Sequence, residues 1–78
     1  MDDVHLSTII EGVESAFAVY GKAIRVVIPA EALQRHFGAS AEPQSWLDAF
    51  NANTMAIEKA ARRAQLKSGL STVILSDF

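Results

Sequence analysis

Between Pro43 and Ser68 the positions Leu47, Phe50, Thr54, Ile57, Ala61 and Ala64 follow one another at spacings of three and four. That period places them on one face of a helix, and it predicts a single long helix over the whole stretch. Pro43 opens it, since a residue with fixed φ and no donor suits a first helical position. Gly69 closes it. Upstream the period changes to two. Val13 to Tyr20 and Ala23 to Ile28 alternate as two strands of a hairpin, and Val4 to Ile10 reads as a strand before them. The hairpin turn is either Gly21-Lys22 in a type II′ geometry or Tyr20-Gly21 in type I′.

Both turns preserve the parity of facing residues. One face of the hairpin then carries Val13, Phe17, Val19, Ile24, Val26 and Ile28, and this is the face expected against the helices. The other carries Glu14, Ala16, Ala18, Tyr20, Ala23, Arg25 and Val27. Pro29 is expected to end the hairpin and to start a short helix, Ala30 to Phe37, which Gly38 terminates. Ala39 to Glu42 is a loop, Ser71 to Leu75 a last short strand, and Asp77-Phe78 a tail. The order β-β-β-α-α-β predicts a two-layer α+β fold over residues 1–78. In it one short and one long helix pack on one face of a mainly antiparallel sheet.

Length and composition narrow the picture. Seventy-eight residues make one small domain, which buries only about 60 % of the surface its unfolded chain exposes. There is no cysteine, so disulfides, thiolate metal sites and thiol nucleophiles are excluded. Half of the residues are hydrophobic, which argues for a folded chain. Nine acidic residues against seven basic ones leave a net charge of −2, and nucleic acid is not the expected partner of such a domain. No apolar run reaches membrane-spanning length. The start of the chain, with Asp2 and Asp3, lacks the basic and apolar regions of a signal segment, so a cytoplasmic location and no membrane association are expected.

Few residues suggest chemistry. His5 and His36 lack the paired spacing of metal ligands, and neither has a spaced partner that would make it a general base. Glu58 and Arg62 stand four apart, the spacing of a solvated helix pair. Ser40, Ser45, Ser68, Ser71 and Ser76 have no nucleophile-elbow context, and the four glycines sit singly. No catalytic residue, cofactor or metal is expected, and the chain is read as a non-enzyme. Lys59, Arg62, Arg63 and Lys67 crowd the end of the long helix. They form a candidate anion-binding group, with a solvated helix end as the simpler account.

The second face of the hairpin is the other candidate. An exposed antiparallel face normally alternates towards polar residues. Here Ala16, Ala18, Tyr20, Arg25 and Val27 would leave a contiguous apolar patch, the mark of an interaction surface.

The segments IPAEALQRHFGA, PQSWLDAF, AIEKAAR and the closing VILSDF resemble a small bacterial family of uncharacterised proteins that carries a domain-of-unknown-function label. The likeness runs from about Val13 to Phe78 and rests on the mutual spacing of EAL…HFG, WL..F and IE..AR. It implies an α+β fold and no activity. Members typically have a cysteine in the second strand and a serine before the first helix, where this chain has Val26 and Pro29. They often have a basic pair in the long helix, where Asn53 and Thr54 stand here. No functional residue carries over.

The reading that follows is a small cytoplasmic interaction or accessory domain that self-associates as a homodimer through its sheet surface or a sheet edge. The alternative is a nucleic-acid or phosphate-binding module using the basic end of the long helix. A protein partner other than itself is not specified by the sequence.

Overall fold

A computed structural model describes residues 2–19, 21–76 and 78. Tyr20, expected on the association face, lies outside them, as does Asp77 of the expected tail. The elements are β1 (Asp2–Leu6), β2 (Gly12–Val19), β3 (Lys22–Pro29), α1 (Ala30–Phe37), α2 (Pro43–Ala52), α3 (Thr54–Ser68) and β4 (Thr72–Ile74). They form an α+β fold. The four strands lie in sequence order, with antiparallel β1–β2 and β2–β3 pairs and a parallel β3–β4 pair.

All three helices cover one face of this mixed sheet. Val13, Ile24, Val26 and Ile28 of the strands are buried with Leu33 of α1, Trp46 and Phe50 of α2, and Ile57 and Ala61 of α3. Phe17 and Leu47 pack against the same cluster. The inner face is thus the one the alternation predicted. The helical positions spaced three and four apart also point to it.

The single long helix is corrected to two. Asn51, Asn53 and Thr54 are poor interior residues because their polar side chains compete for nearby backbone groups. Asn53 does this directly. Its side-chain Nδ2 donates to the carbonyl of Ala49 at 2.8 Å, taking the place of its own amide, which donates to Phe50 at 3.1 Å. With φ −128° and ψ 27°, Asn53 leaves the helix and becomes the N-cap of α3. The break lets α2 lie over β1 and β2 while α3 lies along β4.

Smaller corrections follow from hydrogen bonding. Of the two hairpin connections expected, the closing pair Val19↔Lys22 fits Tyr20-Gly21 and not Gly21-Lys22, which requires a Tyr20↔Ala23 pair. The inner and outer faces are unchanged because the shift is even. The first strand ends at Leu6, not Ile10. There Ser7 turns the chain, its amide donating to the Gly12 carbonyl and its hydroxyl accepting from the amides of Ile9 and Ile10. Pro29 remains in β3 as the N-cap of α1 and is not its first helical residue.

Gly12 is not a simple turn residue. A Cβ there would lie 2.1 Å from the Ile28 carbonyl oxygen, so the pairing of β2 with the end of β3 requires glycine. The expected tail is docked: Phe78 is half-buried, with its ring 4.8 Å from Phe37 and 5.3 Å from His36 between centroids.

Candidate interaction surface

The outward parity of the strands builds the candidate surface in rows. His5, Glu14, Val27 and Ile74 stand in one row across all four strands. Ala16, Arg25 and Thr72 stand in the next, and Ala18 pairs with Ala23 beyond them. No described element lies over these rows. Ala16, Ala18, Ala23, Arg25 and Thr72 are exposed, and they are joined by Ile74, which is 64 % exposed.

Val27 departs from the expectation. It points outward, yet only 3 % of its surface is accessible. It stands between Glu14 and Ile74, whose longer side chains flank it at cross-strand distance. Val27 therefore forms the floor of the surface and offers little area to a partner. Ile74 was missed by sequence reasoning. The signal was present, because Val73 and Leu75 are inward and strand alternation turns the residue between them outward.

Glu14, expected on this outer face, is only 7 % exposed. Its carboxylate accepts from the Ser7 hydroxyl at 3.0 Å and lies 3.3 Å from His5 Nε2. These bonds let the acid sit at the sheet surface without an unsatisfied oxygen. They also tie the Ser7–Gly12 turn to β2. No local sequence pattern signals this, since the three residues meet only through the β1–β2 register.

The structure divides the basic cluster. Arg62 donates to Glu58 at 3.0 Å, an exposed pair worth a few tenths of a kcal/mol. Lys59, Arg62 and Arg63 border a shallow depression with Leu66 on the outward side of α3. Arg63 and Lys67 border a different groove, between α3 and the end of the chain. Arg63 alone belongs to both.

The other polar residues have structural tasks. Ser45 donates to Glu42 at 2.6 Å and accepts from the Ser40 amide at 3.0 Å, which shapes the loop before α2. Trp46 Nε1 donates to the Ser40 carbonyl at 2.8 Å and fastens that loop to the core. His36 lies against Phe78. Among the described residues, no three His, Asp or Glu side chains come together as a metal site, and no helix is long and apolar enough to cross a membrane.

The chain belongs to the DUF1488 family, proteins of unknown function, whose family model matches residues 10–75. No curated protein and no solved structure matches it significantly. The positions at which this chain departs from the expected family pattern are now placed. Val26 is at the centre of the inner face, Pro29 caps α1, and Asn53 and Thr54 form the break between α2 and α3.

Proposed function

We propose, for a family whose description carries no activity, that this chain is a small non-catalytic interaction domain of the cytoplasm that pairs with a second copy of itself, outer sheet face to outer sheet face. The observation that carries the reading is the uncovered set Ala16, Ala18, Ala23 and Ile74 around the floor residue Val27. Soluble chains seldom leave such a face bare. Alanine side chains let two sheets approach to the roughly 10 Å of stacked sheets. A two-fold axis then buries the same patch on both copies. Arg25 fits such an interface with its stem over the alanines and its guanidinium at the rim.

Size sets the strength. At about 3.4 Å per residue and 4.8 Å between strands, the outer face has a plan area on the order of 500 Å². A standard interface buries about 800 Å² per partner. The face is thus at the small end of specific interfaces, and the dimer should dissociate on dilution.

The basic end of α3 is the second reading, as a phosphate or nucleic-acid contact. It is weaker because Arg62 is paired with Glu58 and the four cations do not face one site.

Light scattering over a dilution series, at low and high salt, tests the proposal. A mass that falls from dimer to monomer on dilution, with little effect of salt, is expected. Ala18→Glu should shift that transition to higher concentration. A monomer at every concentration would overturn the reading.

A further inference from the structure

We propose that the free edge of β4 and the flank of α3 together take up an extended acidic segment of another protein, bound as a fifth strand. The site is distinct from the alanine rows of the outer face.

The first argument is the direction of the backbone groups. β4 is the last strand of the sheet and has one neighbour. The Arg25 amide donates to Ser71 at 2.8 Å, and the Leu75 amide donates to Val27 at 2.9 Å. Residues 71 and 75 therefore turn their main-chain groups towards β3. By the two-residue period of a strand, the N–H and C=O groups of Thr72 and Ile74 point away from it, to the open edge. Protein edges are usually blunted by lysine, proline or a covering loop. This one presents Thr72 and Ile74, with Leu70 beside them 61 % exposed.

The second argument is the groove. Two adjoining depressions flank β4, and both are bordered by Ala64 and Ile74. α3 forms one wall, and the small side chains of Ala60 and Ala64 keep that wall low enough for an added strand. Extended peptides bind other proteins in this way, with main-chain bonds giving affinity and alternate side chains giving selectivity.

Charge identifies the occupant. Arg63 and Lys67 border the groove, and neither has a carboxylate partner among the described residues, whereas Arg35 and Arg62 do. α3 runs back along β4, so that Ser68 and Thr72 border one depression and Ala60 and Ser76 the other. One helical turn from Arg63 to Lys67 advances about 6 Å. Alternate residues of a strand are about 6.8 Å apart. Carboxylates at alternate positions of the incoming segment therefore meet both cations, and its intervening side chains lie towards Ile74. The segment is of the type Glu-x-Glu, with apolar residues between the acids.

The test uses a fluorescein-labelled peptide of alternating valine and glutamate, about seven residues long, and its valine–lysine counterpart. Fluorescence anisotropy should show binding of the glutamate peptide at least about tenfold tighter than the lysine peptide. The double variant R63E/K67E should invert that preference. Ile74→Pro removes an outward-pointing N–H together with the exposed Ile74 side chain, and keeps the Arg25–Ser71 and Leu75–Val27 bonds to β3. It should weaken binding by about tenfold or more with an unchanged circular dichroism spectrum. Amide NMR signals of Thr72 and Ile74 should shift on titration.

Three results would overturn the proposal. One is equal binding of both peptides, or none up to about 1 mM. Another is loss of binding in R63E/K67E while Ile74→Pro and the two amide signals are unaffected, which would reduce the site to a charged patch. The third is a change in the mass of the free chain on Ile74→Pro that Ala18→Glu does not reproduce, without peptide binding, which would give the edge to a second copy.

Discussion

Val26 and Val27 are neighbours in β3, and both are almost inaccessible to solvent, yet their surroundings differ. Val26 lies under the helices in a cluster that includes Phe50, Leu33 and Ile57. Val27 lies on the opposite side of the sheet, in a row with Glu14 and Ile74, and takes no part in that cluster. The inner face is held by large apolar side chains from three helices. The outer face is held by cross-strand neighbours and by one buried acid bonded to Ser7 and His5. Low exposure therefore has two physical meanings in one strand. On one side it reflects close packing between layers, and on the other a shallow cover that a partner can extend.

Four substitutions test this contrast, in falling order of effect on stability. Phe50→Ala empties the centre of the inner layer and should cost about 3–5 kcal/mol in urea unfolding. Gly12→Ala drives a methyl into the Ile28 carbonyl and should cost roughly 3 kcal/mol, although it removes no contact. Ser7→Ala takes one donor from the buried Glu14 carboxylate and should cost about 1 kcal/mol. Ala18→Glu should change monomer stability by less than about 0.5 kcal/mol, while the proposed dimer should dissociate in light scattering. A loss of several kcal/mol in Ala18→Glu would mean that the outer face is part of the core, and the contrast would fail.

The sheet faces, α1 and the glycine helix ends were legible in the sequence because each depends on local periodicity or a local cap. The α2–α3 break was written in Asn51, Asn53 and Thr54, but the apolar spacing of three and four runs across it and masked it. A side chain bonding to Ala49 is a geometric event that periodicity does not record. The proposed sites divide in the same way. Ala16, Ala18 and Arg25 follow from alternation alone. The burial of Val27 and Glu14, the separation of Lys67 from Lys59 and Arg62, and the groove beside β4 depend on which elements become neighbours. Pairing across residues 30–71 is a long-range property, and no short motif announces it.

The parallel pairing of β4 with β3 also has a consequence in time. β1, β2 and β3 are joined by short connections, so their contacts close small loops and can form early. β4 reaches β3 only after residues 30–71 have folded back, and contacts of such sequence separation are slow. A refolding chain should thus pass through a stage in which three strands are assembled and β3 itself is the unpaired edge. Pulse-labelled hydrogen exchange should protect the amides of β2 before that of Leu75, which bonds to Val27. During that interval the C-terminal strand of another copy has the same claim on β3 as the chain's own. High concentration on refolding should then favour exchanged dimers, which form by a route different from the proposed face-to-face pair.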